Sequence, residues 1–513
     1  MKRMKKIMAL MLAVIMMMAM SVTAFAAEGA TKGTLTVNVK DGQTLANQTV
    51  NIYKLFDMTV SGSNYGYKVN SLYTPILDQV LGDGFTDKTD QGYYDAVKKA
   101  TDTNNGTNTQ KFANDFTKEL LKYNKEHPDQ MIKETSTKSF GKDATDTTFN
   151  VDGLDFGYYL VCQTGTKEIQ SSLVPVVGAT ATVNLKTQAP DITKTADNDA
   201  TTVYVGQTVT YTITGQVPDM TGYSNYVYKI HDTLTDGLDF VKNEAGNVVV
   251  TVKIGETAYD DVVGVISKDN ARKMTIDLSE KVKTADTGAE IKVTYQAKVN
   301  KNAIVETKNS ATLEYSNKPG TEETGTTKPS EVVTPTYPLD VKKTDTKDTM
   351  LAGAHFKLYA STTDGNIDKN KVIKVTKDVE NTDGKYTYAA NQSAEDAIDE
   401  MVTVANKIDE QGYNLHINGL AAGIYYLEET QAPDGYNKLS APIKVTITKT
   451  EDTEWTVSKD DVEETDKIID IENSTGSILP STGGRGAIAF SVIAALLVFG
   501  VAVSFIRDKR KEA

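Results

Sequence analysis

Short stretches in which apolar and polar residues alternate recur along most of the chain, and they constrain its fold more than any other feature. Three examples, rich in Thr, Val and Tyr, are Thr34–Val39, Val209–Ile213 and Ile443–Ile447. A period of two places successive side chains on opposite faces of a strand, so each stretch predicts a strand with one face in a core. We therefore expect an all-β chain of tandem Ig-like β-sandwich domains. Two other segments, Gln110–Glu126 and Ser393–Ile408, predict small helical insertions.

The chain has 513 residues, which is more than one core normally organises. Two proline-bearing segments, 188–191 and 334–338, interrupt the strand pattern and are typical of domain boundaries. The predicted divisions are residues 1–26 as an N-terminal export segment, 27–187 as a first domain with a helical insertion, 188–336 and 337–475 as two further β-sandwiches, and 476–513 as a C-terminal address.

The N-terminus predicts a secretory signal peptide. Basic residues open the chain, an apolar stretch covers Ile7–Met20, and the small-x-small site Ala24–Ala26 follows. The apolar stretch is shorter than the ~20 residues that a membrane span needs, which favours cleavage near Ala27 over an anchor. The chain has one cysteine, Cys162, so an intramolecular disulfide is impossible. We expect Cys162 to be a half-buried strand residue and not a catalytic thiol.

Charge and motifs exclude several classes of function. The formal net charge is −14 with no concentrated basic face, so we expect no nucleic-acid partner. The sequence has no metal-ligand cluster, catalytic triad motif or phosphate-binding loop. We therefore predict no metal, no cofactor and no enzymatic activity on an external substrate.

The C-terminus combines three features in a fixed order. The hexapeptide Leu479-Pro480-Ser481-Thr482-Gly483-Gly484 comes first, an apolar run over 487–505 follows, and a basic tail ends the chain. The apolar run is long enough for a transmembrane helix, and the positive-inside rule keeps the basic tail in the cytoplasm. This order predicts that the hexapeptide lies just outside the membrane, although a plain tail anchor would share the last two features.

The three-part C-terminus resembles the LPxTG sorting signal of Gram-positive wall-anchored proteins. The resemblance implies that a sortase recognises Leu479 and Pro480 and cuts between Thr482 and Gly483. It also implies that a sortase cysteine holds the carbonyl of Thr482 as a thioester and passes the chain to an amine. The implied partners are sortase and peptidoglycan, and the implied location is secreted and anchored to the cell wall.

The last predicted domain places three reactive side chains in its core. Period-two alternation puts Lys343 on the same face as Leu339 and Val341, and it likewise turns Glu429 and Asn473 inward on their own strands. Burial favours a neutral amine and a protonated acid, which would let Lys343 attack the Asn473 carboxamide with release of ammonia. Spacing alone is equally compatible with a buried ion pair beside a bystander asparagine.

Two motifs in this domain resemble the collagen-adhesin B-type (CnaB) domain. They are Leu351–Ala354 and the E-box segment Tyr425–Tyr436. The family carries an autocatalytic intramolecular isopeptide bond between Lys and Asn, promoted by a buried acid. The resemblance implies that Lys343 is the amine, Asn473 the acceptor and Glu429 the acid.

The middle domain resembles the related fimbrial isopeptide-forming domain. The motifs that carry this resemblance are Pro190–Lys194, Gly206–Tyr211, His231–Leu238 and Lys308–Leu313. The resemblance implies that Lys194 is the amine, Asp232 the acid and Asn309 the acceptor, and the alternation of each predicted strand agrees.

The first domain lacks the residues for such a bond. Gln163 stands at the E-box position, and Val37 and Val39 stand where the opening strand should supply a lysine. Asn184 near the end of the domain has no candidate partners. We predict either no isopeptide bond in this domain or one formed by residues that the sequence does not identify.

Taken together, the domains and the sorting signal resemble the major (backbone) subunit of sortase-assembled pili. The family implies identical subunits joined head to tail, with Lys186 near the position of the lysine of the family's Tyr-Pro-Lys motif. The motif itself is not present, because the only Tyr-Pro, Tyr337-Pro338, precedes Leu339 and lies one domain later. A basal or ancillary pilin, and a monomeric wall-anchored adhesin with a host or matrix ligand, therefore stay open as alternatives.

Overall fold

The computed structural model describes residues 31–61, 64–102, 107–186, 188–197 and 201–475. The predicted signal peptide, the sorting motif with Leu479, Pro480, Thr482 and Gly483, and the apolar run over 487–505 lie outside these residues. Within the described ranges, no helix is long and apolar enough to span a membrane.

Residues 31–186 form two β-sheets and a helical layer. Strand β1 pairs in parallel with β8 and antiparallel with β5 in a three-stranded sheet, and a five-stranded sheet has the order β3-β2-β6-β7 with β4 added on β2. The elements are β1 (Lys32–Val39), β2 (Thr49–Ser61), β3 (Asn64–Val69), α1 (Thr74–Leu81), α2 (Asp90–Thr101), α3 (Thr107–Glu126), β4 (Ser136–Ser139), β5 (Thr148–Asp155), β6 (Gly157–Thr164), β7 (Ser171–Val176) and β8 (Thr180–Leu185), with 3-10 turns at Ser71–Tyr73 and Pro128–Gln130.

The five-stranded sheet has a core on each face. Along β6, Tyr159 and Val161 pack toward the three-stranded sheet, whereas Leu160 and Cys162 pack toward the helices. Strands covered on both faces lose the alternation of burial, and β6 is buried at almost every position. Cys162 is therefore fully buried and not half-buried as predicted, because the helical layer covers the face that we expected to meet solvent.

Residues 188–333 form one continuous sheet of 12 strands, which has the main order β19-β18-β11-β16-β15-β13-β17-β10-β9. The side strands β12, β14 and β20 pair with β17, β13 and β18 respectively. The elements are β9 (Thr193–Ala196), β10 (Thr208–Gln216), β11 (Tyr228–Leu234), β12 (Leu238–Phe240), β13 (Val248–Ile254), β14 (Thr257–Tyr259), β15 (Val263–Ile266), β16 (Lys273–Asp277), α4 (Ser279–Val282), β17 (Glu290–Val299), β18 (Lys308–Ser316), β19 (Thr324–Thr326) and β20 (Ser330–Val333).

Residues 337–475 form two sheets around one core. A five-stranded sheet has the order β24-β25-β27-β21-β32, and a seven-stranded sheet has the order β23-β22-β28-β29-β30-β31 with β26 added on β22. The elements are β21 (Tyr337–Asp345), β22 (His355–Ser361), β23 (Ile367–Ile373), β24 (Val375–Lys377), β25 (Lys385–Tyr388), β26 (Met401–Val402), β27 (Leu415–Leu420), β28 (Gly423–Gln431), β29 (Ile443–Lys449), β30 (Trp455–Lys459), β31 (Val462–Glu464) and β32 (Ile468–Asn473), with a 3-10 turn at Ile408–Glu410.

The first and last strands of this C-terminal region are neighbours. Strand β21 pairs in parallel with β32, with Lys343 opposite Ile471 and Asp345 opposite Asn473. Apolar side chains of both strands enter the same core, including Leu339, Val341 and Ile469. A parallel pair of this kind needs a long crossover, and nearly the whole region forms it.

One predicted helix is confirmed and the other is wrong. Helix α3 contains the predicted segment Gln110–Glu126, and α1 and α2 were not predicted. Residues 393–408 contain no α-helix. Instead Met401–Val402 forms β26 on the edge of β22, and the Thr403 hydroxyl donates to the Leu351 carbonyl at 2.8 Å. The β-branched run over 402–404 favours this extended pairing over a helix.

The chain divides into two compact units. The first draws on the ranges Met1–Ala200, Thr208–Lys298 and Lys308–Val333, and the second on Thr201–Gln207, Val299–Thr307 and Thr334–Ala513. The described residues of both are mainly β-structure with few helices, so the all-β prediction is confirmed. The finer division at 187/188 and 336/337 stays a prediction.

Candidate cross-linking sites

A cluster of four buried polar side chains lies inside the first unit, and we call it the middle cluster: Lys194, Asp232, Tyr295 and Asn309. Each lies on a different strand, namely β9, β11, β17 and β18. Alternation turns all four side chains inward, onto the face that also carries the apolar core residues of each strand. On β11, for example, Asp232 shares its buried face with Ile230. The side chains of Lys194 and Asp232 have no solvent exposure.

The Tyr295 hydroxyl lies at the centre of the middle cluster. Lys194 Nζ donates to both Asp232 Oδ2 and Tyr295 Oη. Tyr295 Oη donates to Asp232 Oδ2 at 2.6 Å, and Asn309 Nδ2 donates to Tyr295 Oη at 2.8 Å. Two buried oxygens, Asp232 Oδ1 and Asn309 Oδ1, have no hydrogen-bond partner among the described residues.

Burial sets the protonation of the middle cluster. Desolvation lowers the pKa of Lys194 below its usual value, although Asp232 opposes this shift. Desolvation also raises the pKa of Asp232, against the effect of Lys194. Both shifts favour a neutral amine beside a protonated carboxyl over an ion pair. The amine lies near the faces of the Tyr211 and Tyr295 rings, 5.1 and 4.9 Å from their centroids.

A second cluster lies in the core of the second unit, and we call it the C-terminal cluster: Lys343, Glu429 and Asn473. Lys343 Nζ donates to Asn473 Oδ1, and Asn473 Nδ2 donates to Glu429 Oε1 at 2.9 Å. Lys343 Nζ and Glu429 Oε1 are 3.9 Å apart. The second carboxylate oxygen of Glu429 accepts from the backbone N–H of Leu439 at 2.7 Å, which fixes the carboxyl group in place.

Burial also perturbs the amine of the C-terminal cluster. Desolvation lowers the pKa of Lys343 to about 8, although Glu429 and Glu472 act in the opposite direction. A useful fraction of neutral amine is therefore present near neutral pH. The neighbouring Lys342 and Glu428 face the other way and pair at 2.6 Å with Asp348 and Lys369 respectively.

Two residues of these sites were not anticipated from the sequence. Tyr295 lies on the inward face of β17, where an aromatic residue looks like ordinary core. Asn414 is fully buried, and its Oδ1 accepts from the Lys343 backbone N–H at 2.8 Å. The Asn414 amide also donates to the carbonyl oxygens of Leu351 and Val404. Asn414 thus holds the backbone of β21 at Lys343.

The first domain has no comparable cluster among its described residues. Gln163 is fully buried at the E-box position, and Val37 and Val39 are buried on β1. In the described parts of 31–186, no lysine, aspartate or glutamate is buried. Asn184 is exposed and accepts from the Asn38 amide at 3.1 Å. The absence of an isopeptide bond from this domain stays a prediction.

The candidate polymerising lysine, Lys186, directly follows β8 and is half-buried. It makes no hydrogen bond or ion pair with the described residues. Two other lysines of this domain, either of which could serve instead, are paired: Lys167 lies 2.5 Å from Asp191, and Lys32 lies 3.6 Å from Asp155.

The fold and the clusters together define the class of protein. It is an all-β chain in which buried amine, acid and amide groups are linked by hydrogen bonds at two separate sites. A neutral amine next to a carboxamide and a proton donor has the groups for amide exchange, in which the lysine displaces ammonia. No group of three or more His, Cys, Asp or Glu in the described ranges is placed to hold a metal ion.

Comparison with known families gives one match. The family described as the SpaA prealbumin-like fold domain matches residues 337–461, which contain Lys343 and Glu429 of the C-terminal cluster. A prealbumin-like fold is a β-sandwich, in agreement with the two sheets of this region. No curated protein matches the chain.

Several solved structures are similar at low identity. The Corynebacterium diphtheriae major pilin SpaA is 17% identical, with 86% of this chain and 100% of that chain covered and a TM-score of 0.45. The major pilin SpaD of the same organism is 20% identical, with 87% and 98% covered and a TM-score of 0.44. The T6 backbone pilin of Streptococcus pyogenes is 15% identical, with 88% and 100% covered and a TM-score of 0.45. At such values, no function of this chain follows from these similarities.

Proposed function

We propose that this chain is the structural backbone subunit of a covalently polymerised cell-surface pilus of a Gram-positive bacterium. Sortase joins Thr482 of one subunit to a lysine of the next, and finally to peptidoglycan. Two internal Lys–Asn isopeptide bonds, Lys194–Asn309 and Lys343–Asn473, stabilise each subunit. The chain is thus a substrate of sortase, and its own chemistry is limited to these internal bonds.

One observation carries the proposal: in each of two separate clusters, a buried lysine amine, a buried acid and a buried asparagine side chain belong to one hydrogen-bonded network. Removing two charged groups from water costs several kcal/mol per ion unless the groups are neutral or well paired. The middle cluster also leaves an acid oxygen and an amide oxygen without partners. Permanent amide bonds explain this arrangement better than two buried ion pairs with bystander asparagines do.

In the C-terminal cluster, contacts suit direct catalysis by Glu429. Lys343 Nζ lies against the Asn473 side chain and attacks its carbonyl carbon as the neutral amine. Glu429 contacts the leaving nitrogen at 2.9 Å and transfers protons to it, so that ammonia departs and an amide remains. The ring so closed ties β21 to β32, the first and last strands of the region.

The position of Lys186 supports its role in polymerisation. A polymerising amine must lose its proton and reach the thioester of another subunit, and an ion pair would oppose both steps. Lys186 has no ion pair with the described residues, in contrast to Lys167 and Lys32. A bond from Lys186 to Thr482 of an identical subunit is heterologous and open, which yields a fibre and not a ring.

The size distribution of the wall-linked protein tests this function. Wall extracts separated on denaturing gels should give a ladder of covalent oligomers, and Thr482→Ala should abolish the ladder and leave the chain in the membrane fraction. Ser481→Ala, next to Thr482 at the variable position of the motif, should leave the ladder intact. A single wall-linked band from the unaltered chain would instead indicate a monomeric adhesin or a basal or ancillary pilin.

A further inference from the structure

The hydroxyl of Tyr295 touches every reactive group of the middle cluster. It accepts hydrogen bonds from Lys194 Nζ and from Asn309 Nδ2, and it donates to Asp232 Oδ2. The hydroxyl therefore lies between the nucleophile and the group that has to leave.

The Tyr295 ring is held rigidly in this position. It stacks on Tyr211 with centroids 5.7 Å apart and packs against Phe240 at 6.0 Å. The side chain is buried on β17, which pairs with β10 on one side and β13 on the other. A fixed phenol loses little entropy when it takes part in a reaction.

The C-terminal cluster shows why the middle cluster needs this hydroxyl. There, Glu429 reaches the leaving nitrogen of Asn473 directly. Asp232 is one methylene shorter, and no hydrogen bond joins it to Asn309 within the described residues. Its connection to the Asn309 amide nitrogen runs through Tyr295 Oη alone. In the part of the chain that the structure describes, no hydroxyl is hydrogen-bonded to Lys343 Nζ or to the Asn473 amide.

We propose that Tyr295 is a catalytic residue for the Lys194–Asn309 bond, and that its hydroxyl relays a proton from the attacking amine to the leaving amide nitrogen. This inference rests on the internal isopeptide chemistry of the proposed function. It adds a residue and a proton path that distinguish the middle cluster from the C-terminal one.

Atoms and protons balance along this path. The lone pair of Lys194 Nζ attacks Cγ of Asn309, which leaves a negative charge on the carbonyl oxygen and a positive charge on Nζ. In the tetrahedral intermediate Nδ2 gains a lone pair directed at Tyr295, which gives it a proton and takes one from Lys194 Nζ. The negative charge on the oxygen then reforms the carbonyl, the Cγ–Nδ2 bond breaks, and ammonia leaves.

A relay of this kind requires a phenol that keeps its proton. Burial raises the pKa of Tyr295 well above its usual value, and the nearby Asp232 raises it further. The hydroxyl therefore stays protonated throughout the pH range of interest and exchanges protons only in concert, giving one as it takes another.

Tyr295→Phe tests the relay, with the chain isolated unfolded from inclusion bodies and refolded while the two bonds are followed by mass spectrometry of proteolytic fragments. Loss of a positioned acid–base group costs about 10²-fold or more, so the Lys194–Asn309 bond should form at least about a hundredfold more slowly. The Lys343–Asn473 bond in the same molecule should form at its normal rate. Tyr228→Phe, which removes a buried hydroxyl that has no hydrogen-bond partner among the described residues, should leave both rates unchanged.

The outcomes separate the relay from the isopeptide chemistry itself. Formation of the Lys194–Asn309 bond at the normal rate in Tyr295→Phe would overturn the relay. Absence of that bond from the unaltered chain would overturn the underlying proposal instead. If Tyr295→Phe does not fold, 3-fluorotyrosine at position 295 keeps the ring and hydroxyl and alters only acidity. It should then change the rate by about threefold or more, and an unchanged rate would contradict the relay.

Discussion

Lysine amines are rarely buried, and Lys194 and Lys343 have almost no exposure to solvent. In each case the cost of burial falls on the charged form, so that the buried amine becomes a nucleophile near neutral pH. In the proposed reaction, the asparagine of the same cluster supplies the electrophile and the acid assists proton transfer. Burial of a lysine, an acid or an asparagine alone would destabilise the fold, whereas the three together have the groups needed to form an amide bond.

The pKa of Lys343 predicts how the Lys343–Asn473 bond depends on pH. With a pKa of about 8, the amine is mostly protonated at pH 6 and mostly neutral above pH 8. The rate of bond formation after refolding should therefore rise about tenfold per pH unit from pH 6 to about pH 8 and then level off. Mass spectrometry of samples quenched at intervals measures this rate, and a pH-independent rate over that range would contradict the role of the neutral amine.

Glu429→Ala should prevent the Lys343–Asn473 bond, because no other acid of the described ranges is hydrogen-bonded to the Asn473 amide. The purified mature chain should then weigh one ammonia mass more than the unaltered protein, and its melting temperature should fall. Glu428→Ala is the matched control, since Glu428 lies next to Glu429 on β28 but pairs with Lys369 on the outer face. An unchanged mass in Glu429→Ala would show that the acid is dispensable.

Period-two alternation was sufficient to predict which faces of the strands carry Lys343, Glu429 and Asn473, because the side-chain direction in a strand is fixed by the backbone. The alternation does not reveal Tyr295, since a tyrosine on an inward face is usual in any β-sandwich. Nor does it reveal Asn414, whose role depends on hydrogen bonds with the Lys343 backbone N–H and the Leu351 carbonyl, both distant in sequence. Such contacts arise from the packing of strands and not from the local pattern.

At the scale of elements, strands were predicted more reliably than helices. The segment 393–408 was predicted to be helical, yet its β-branched residues Val402, Thr403 and Val404 favour the edge of β22. The pairing partners that decided this, including His355 and Phe356, lie far away in sequence. Helices α1 and α2 were missed because the layer that they form covers a sheet face expected to be solvent-exposed.

The Lys343–Asn473 bond should account for much of the protection of the β32 backbone amides against hydrogen exchange. A covalent ring on the order of a hundred residues contributes about 4–5 kcal/mol in the chain-entropy model. In Asn473→Ala, hydrogen exchange of the β32 amides should therefore accelerate by about a thousandfold, as measured by mass spectrometry. Glu472→Ala, an exposed neighbour on the same strand, should leave exchange unchanged. Equal protection in both variants would contradict a covalent tie at this strand.

At the scale of the whole molecule, the prediction concerns assembly. Lys186→Ala should collapse the ladder on denaturing gels to wall-linked monomer, while both internal bonds still form. Lys167→Ala should keep the ladder, because the amine of Lys167 is engaged by Asp191 at 2.5 Å. A ladder that survives in Lys186→Ala would show that another lysine polymerises the subunits.

The parallel pairing of β21 with β32 also implies an order of events in the proposed export. A chain exported from its N-terminus, as the predicted signal peptide implies, would expose Lys343 long before Asn473, which lies 130 residues later. Until β32 pairs with β21 and completes the sheet, the Lys343 amine stays solvated and charged. The proposed bond then closes only in a molecule that has finished folding, and the release of ammonia makes the step irreversible. The Lys343–Asn473 bond would thus permanently mark those molecules whose C-terminal region folded correctly outside the cell.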